Sequence, residues 1–169
     1  MIETLRLIIR PLTCDELVKQ LTAPEELAES LGLKPSQSLA DREAQEAMLH
    51  DLLPLLSDPD NNPLFYTMWI VIEKNVKAII GGICFHGEPD HSGEVEIGYG
   101  TDEEYRNRGY MSETIAGLLH WAGGQKSINT IKAETDKVNV ASVRVLEKNN
   151  FVVTGQTDTA VIMKYNFGK

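Results

Sequence analysis

The sequence predicts a mixed α/β domain of about seven strands and about four helices, and three observations carry that reading. Runs rich in β-branched and aromatic residues, LFYTMWIVIE (64–73) and VKAIIGGICF (76–85) among them, are separated by clusters of turn residues. Between 110 and 125, Met111, Ile115, Leu118, Leu119 and Ala122 recur at the spacing of one helix face. The 169 residues, 42% hydrophobic and 24% charged, suffice for one domain over 1–169 with a core that needs no disulfide or metal.

In order along the chain, residues 2–9 alternate weakly and form a first strand, ending at Arg10-Pro11. Thr13-Cys14-Asp15-Glu16 is a capping box that opens a helix running to about Gln20. Thr22-Ala23-Pro24-Glu25 starts a second helix, closed by Gly32 and Pro35. Ser38-Leu39-Ala40-Asp41 opens a longer one toward Leu53, which Pro54 interrupts, and SDPDNNP (57–63) is a loop. The strands 64–73 and 76–85 then form a hairpin through Lys74-Asn75. HGEPDHSG (86–93) is a turn before the strand EVEIGYG (94–100), and a helix covers Tyr110–Gln125. A strand NTIKAET (129–135), a helix Val140–Asn149 and two closing strands, FVVTGQ and TAVIMKYNF, complete the domain.

Charge narrows the partners. The formal net charge is −9, and between Asp15 and Asp60 there are 11 acidic residues against Lys19, Lys34 and Arg42, a balance of −8. Nucleic acid is excluded as an expected partner, because phosphate contacts need a basic face. The acidic third is either a solvated helical surface or a field that draws cationic acceptors such as amines or basic peptides. MIETLRLIIR lacks the pattern of a signal peptide, and no apolar run approaches the ~20 residues that span a bilayer, so no membrane partner is expected. Two isolated cysteines, Cys14 and Cys84, suit a reduced, cytoplasmic protein and no metal site.

Against that acidity, Arg106-Asn107-Arg108-Gly109 lies between a strand and an amphipathic helix. A turn at a helix N-terminus aims backbone N–H groups outward, the helix dipole adds partial positive charge, and Gly109 permits close approach. Two guanidinium groups add full charge and forked donors. The pattern suits a pyrophosphate. The alternative is a solvent-exposed turn whose arginines pair with Asp102, Glu103 and Glu104. The stretch is neither a Walker loop nor GxGxxG.

The turn resembles the acetyl-CoA signature R-x-x-G-x-[GA] of the GNAT N-acetyltransferase superfamily, standing here as Arg106-Asn107-Arg108-Gly109-Tyr110-Met111 after EIGY. Met111 takes the place of the usual Gly or Ala. NVASVRVLEKNNF (139–151) is similar to the family's N-x-x-S-x-x-x-x-E-K-x-G-F, matching at Asn139, Ser142, Glu147, Lys148 and Phe151. Asn150 replaces Gly, and Leu146 stands where other branches carry a tyrosine acid. Together the motifs resemble the branch of ribosomal-protein N-terminal (RimJ/RimL-type) acetyltransferases.

The resemblance implies a mostly antiparallel central sheet with one splayed parallel pair, EVEIGYG and NTIKAET, flanked by helices. It implies acetyl-CoA as cosubstrate, held by the backbone of Tyr99, Gly100 and Thr101, by the turn Arg106, Asn107, Arg108, Gly109, Tyr110 and Met111, and by Asn139. Ser142 would meet the leaving sulfur and Glu96 would act as base, with Glu94, His86 or His91 as substitutes. Asn139 as a plain helix cap, and an acid-decorated but inert strand, are the structural alternatives. The expected acceptor is a primary amine, either a protein N-terminus or a small cationic amine, and the resemblance also allows a homodimer. A non-catalytic acyl-CoA-binding module and a nucleotide-binding domain of another fold are the competing readings.

Overall fold

The computed structural model describes residues 1–168, and its chain order builds one eight-stranded sheet. The strands are β1 (Ile2–Glu3), β2 (Leu7–Pro11), β3 (Met68–Glu73), β4 (Ala78–Phe85), β5 (Glu94–Thr101), β6 (Thr130–Asp136), β7 (Val152–Gln156) and β8 (Ala160–Asn166). Their spatial order is β1-β2-β3-β4-β5-β6-β8-β7, and every neighbouring pair is antiparallel except β5 and β6. The helices are α1 (Cys14–Thr22), α2 (Pro24–Ser30), α3 (Arg42–Ala47), α4 (Leu53–Leu56), α5 (Tyr110–Gly123) and α6 (Val140–Lys148).

Two cores cover the two faces of this sheet. Side chains alternate across a strand, so Val95 and Ile97 join Ile115, Leu118 and Leu146 on the face of α5 and α6. An aromatic group anchors that side, with ring centroids 5.1 Å apart for Phe65 and Phe85 and 5.2 Å for Trp69 and Trp121. On the opposite face Leu17, Leu27, Leu39 and Met48 pack against Met68, Ile70 and Ile79. The sheet is therefore a partition, with α1–α4 on one side and α5 and α6 on the other.

Four elements differ from the sequence reading, and one is the strand expected over 64–73, which starts at Met68 because Pro63–Phe65 form a 3-10 turn. The first strand is two strands folded on each other, Ile2 opposite Ile9, with Leu5 exposed at the bend. The bend is pinned from outside, because Glu113 of α5 accepts hydrogen bonds from Thr4 Oγ1 and Arg6 N. The longer helix begins at Asp41, whose carboxylate caps Ala44 N, while Ser38 sits in a 3-10 turn. Pro54 does not end that helix. A π-helical turn, Met48–Leu52, widens the backbone just before it and leads into α4. A wider turn accommodates the missing N–H and the ring that a regular helix rejects. The β3–β4 connection is also longer than Lys74-Asn75: Lys77 takes φ of 51° and the Glu73 carboxylate accepts Val76 N.

One buried carboxylate ties the α1–α4 side to the end of β5. Asp102 is 3% exposed and accepts hydrogen bonds from Ser36 Oγ at 2.7 Å, Ser38 N at 2.8 Å and Gln37 N at 3.0 Å. Removing it strands a buried hydroxyl and two amides. We expect Asp102→Ala to lose about 3 kcal/mol of stability in urea unfolding at neutral pH. A loss below about 1 kcal/mol would mean that segment 36–41 holds its place without this clasp.

Candidate functional site

The parallel pairing of β5 and β6 covers only three rungs, Glu94–Thr130, Val95–Ile131 and Glu96–Lys132. Beyond it β5 continues to Thr101 along β4, and β6 continues to Asp136 along β8. The two strands part, leaving a V-shaped cleft whose walls are β5 from Ile97 onward and β6 from Ala133 onward. His86 N donates to Glu96 O and Asp102 N donates to Ile80 O, which fixes the ladder phase between β4 and β5. By alternation the backbone groups of Glu96, Gly98 and Gly100 turn toward β4, and those of Ile97, Tyr99 and Thr101 turn into the cleft.

This phase corrects the expectation for Gly100, whose backbone belongs to the β4 ladder opposite Gly82. Its side-chain position is open space, since a Cβ there would meet nothing within 4 Å. The sequence alone could not give the ladder phase, because alternation needs a fixed partner strand.

At the mouth of the cleft stands the Arg106–Met111 turn. Asn107 takes φ of 60° and Gly109 φ of 77°, and Gly109 forms the N-cap of α5 without a side chain to cap it. The first amides of α5 therefore have no side-chain acceptor, unlike those of α1, α3 and α6. Among the described residues neither Arg106 nor Arg108 pairs with Asp102, Glu103 or Glu104. Arg106 Nε donates to Thr101 O at 3.0 Å, and the Arg108 guanidinium lies 5.6 Å from the Tyr105 ring. Met111 is 9% exposed and belongs to the core on the α5 face.

A third arginine, which sequence reasoning missed, completes this corner. Arg6 lies over the Tyr110 ring at 4.4 Å and its Nη1 donates to Arg108 O at 3.0 Å. It is held by Glu113, through Nε at 2.7 Å and the backbone N at 2.8 Å. No local signal marks it, since 102 residues separate Arg6 from Arg108.

The first turn of α6 closes the far side. Asn139 caps it by accepting from Ser142 N at 3.1 Å, the plain role weighed for it, which leaves its Nδ2 group for another partner. Ser142 Oγ lies 2.8 Å from Tyr99 Oη, so a bond between two hydroxyls bridges β5 and α6. Leu146 is fully buried, and Asn150 takes the left-handed φ of 62° that ends the helix.

Glu96 lies on the other face, toward α1–α4. Lys132 Nζ donates to it at 2.7 Å, and His86 Nδ1 is 3.6 Å away. The bond to Glu96 raises the Lys132 ammonium above its ordinary value, against the opposing effect of desolvation. Glu94 is paired with Lys164 at 2.6 Å, and His91 lies exposed in the preceding turn. Beside Gly98 and Gly100 opens a cavity of about 300 Å³, walled by Leu39, Met68, Cys84 and Arg106 with Asp41 and Glu43 at its margin. Burial pushes the Cys84 thiol up to about 11, so it is protonated near neutrality and is no nucleophile.

The sequence of this chain matches the acetyltransferase (GNAT) domain family over residues 6–152. The chain belongs to the GNAT acetyltransferase family. An N-acetyltransferase of Bacillus subtilis, YjdG, is 33% identical over 94 residues, which are 56% of each chain. The match thus spans little more than half of that relative's length. Among solved structures, ribosomal-protein-S5-alanine acetyltransferase from Vibrio fischeri superposes with a TM-score of 0.68 at 18% identity, covering 98% of this chain and 96% of that one. RimL, a ribosomal L7/L12 alpha-N-protein acetyltransferase solved in complex with coenzyme A, gives 0.66 at 16% identity, covering 96% and 95%. At these identities the two structures speak to the shared GNAT fold. No helix among the described residues is long and apolar enough to cross a membrane.

Acid should loosen the corner of this GNAT fold that carries Arg6. Desolvation opposes ionisation of Glu113, but the bonds from Thr4 and Arg6 outweigh it and hold the carboxyl below its ordinary value. A depressed carboxyl contributes stability above its unfolded pKa, and that stability is lost as pH falls through the folded value. We expect the hydrogen-exchange protection of residues 1–7, relative to the intrinsic rate at each pH, to fall below about pH 4 in wild type. Glu113→Gln should exchange fast there already at pH 7, and equal protection of both proteins at pH 7 would refute the link.

Proposed function

We propose that this chain is an acetyl-CoA-dependent N-acetyltransferase that moves an acetyl group to a primary amine by direct attack in a ternary complex. The observation that carries it is the parted β5–β6 pair, which leaves the backbone groups of Tyr99 and the N–H of Thr101 without a strand partner beside an uncapped helix N-terminus. An extended pantetheine bonds such an edge as a missing strand would. The Arg106–Met111 turn, with Arg6 behind it, suits the pyrophosphate, and Asn139 Nδ2 remains for the arm.

In this reading acetyl-CoA is a cosubstrate that supplies an activated thioester. The backbone N–H of Tyr99 polarises the thioester carbonyl as oxyanion-hole donors do. Glu96 receives the amine and takes its proton directly or through water. A carboxylate base suits an α-amino group, whose pKa of about 8 leaves an appreciable neutral fraction near pH 7. Ser142 offers its hydroxyl to the departing sulfur. The acidic margin of the cavity suits a cationic acceptor, and the names of the ribosomal-protein neighbours favour a protein or peptide N-terminus over a small amine.

Calorimetric titration with acetyl-CoA tests the donor half. We expect micromolar binding that weakens at least tenfold, about 1.4 kcal/mol, in Arg106→Ala/Arg108→Ala. Absence of binding by the wild type would overturn the proposal. For the acceptor half, thiol release is followed over a panel of amines and N-terminal peptides. Glu96→Gln should cut kcat on the preferred acceptor by roughly a hundredfold while acetyl-CoA affinity is kept. Acetyl-CoA binding with no turnover on any amine would leave a binding module in place of the enzyme.

A further inference from the structure

The geometry points to Tyr99 as a positioning residue that fixes the direction of the Ser142 hydroxyl, so that Ser142 gives its one proton to a hydrogen bond with the leaving sulfur. This rests on the acetyltransferase reading and goes beyond it, because that reading asks nothing of the Tyr99 side chain. The two oxygens are 2.8 Å apart, one carried by β5 and the other by the first turn of α6. A serine hydroxyl has one hydrogen to give and two lone pairs to receive. Whichever partner donates across the Tyr99–Ser142 contact decides where the serine proton goes.

Tyr99 is the donor. A phenol, with an ordinary pKa of about 10, is a stronger acid and a better donor than an aliphatic hydroxyl. Burial pushes Tyr99 higher still, the bond to Ser142 offsetting only part of the rise, so the phenol keeps its proton through the neutral range. With one lone pair of Ser142 Oγ filled by Tyr99, no other described residue accepts the serine hydrogen. A hydroxyl that accepts one bond donates a stronger one, because the two polarise each other.

The proton balance fixes how far the pair can go. As the amine nitrogen bonds to the carbonyl carbon, the C–S bond breaks and sulfur leaves with the electron pair. A thiol of pKa about 8.5 is a stronger acid than this phenol, whose value is raised, so the thiolate does not draw the Tyr99 proton through Ser142. The pair therefore stabilises the thiolate by hydrogen bonding, and the sulfur takes its proton from water after release. Tyr99 ends the cycle as it began.

The test reads the sulfur itself and needs no acceptor. Coenzyme A is bound to the protein, and its thiolate absorbance is titrated against pH in wild type, Ser142→Ala, Tyr99→Phe and the double variant. We expect the bound thiol to titrate about one pH unit lower in wild type than in either single variant, with no further rise in the double. Affinity measured below neutral pH, where the thiol is protonated, should agree within about twofold across the four proteins. Tyr99→Phe keeps the partly buried ring, so lost packing does not explain a shift. An unshifted wild-type thiol, a Tyr99→Phe thiol that titrates as in wild type, or additive effects in the double would each overturn the role of Tyr99. Failure of the wild type to bind coenzyme A would overturn the acetyltransferase reading and this inference together.

Discussion

The site depends on one break in the sheet. After Glu96–Lys132 the fifth and sixth strands stop pairing, and a run of backbone inside an eight-stranded sheet loses its neighbour. Buried backbone donors and acceptors need partners, so the cleft is a standing demand for something extended to fill it. The protein satisfies part of that demand itself, since Arg106 donates to Thr101 O. Everything else described at the site borders this break: the uncapped start of α5 at its mouth, Ser142 on one face and Glu96 on the other.

The break is held from outside at its β5 wall and at its mouth. The wall made by β5 is anchored at its end by Asp102, which reaches across to segment 36–38. The mouth is held by the N-terminal bend, where Thr4 and Arg6 grip Glu113 in the first turn of α5. Arg6 thereby carries its charge to a corner that already holds Arg106 and Arg108. A chain of net charge −9 can thus present a locally positive corner, because its acidic excess is confined to segment 15–60. Screening over ~8 Å at physiological salt lets the two fields coexist.

Much of this was legible in the sequence because the signals are local. Turn residues and apolar periodicity mark β4, β5, α5 and α6 within a residue or two of their ends, and the Thr13–Glu16 capping box forms as read. Asn150 in a left-handed conformation was legible for the same reason, since it follows from its place after a helix. What escaped depends on distant partners. The split of the first strand is imposed by Glu113, over a hundred residues away, and the ladder phase that turns Gly100 toward β4 is set by the register with β4. The ion pair of Glu96 with Lys132 and the bond of Tyr99 to Ser142 join residues 36 and 43 positions apart. No pattern within either motif contains them.

The alternation of a β-strand also divides the chemistry between faces. Glu96 and Tyr99 are three residues apart on β5, an odd spacing, so their side chains project to opposite sides of the sheet. Glu96 stands on the side of α1–α4, near the acid-rimmed cavity, and Tyr99 reaches Ser142 on the side of α6. In the acetyltransferase reading the amine then arrives from one face and the sulfur is met from the other, with the thioester lying between them in the cleft. Direct attack needs nucleophile and leaving group in separate places around one carbon, and a single strand beside a missing neighbour supplies that separation. The same geometry keeps Lys132 from serving the sulfur, because its ammonium is held by Glu96 on the acceptor side. Stabilising the thiolate then falls to hydroxyl groups, which lower its energy by hydrogen bonding without competing for the proton that the base must remove.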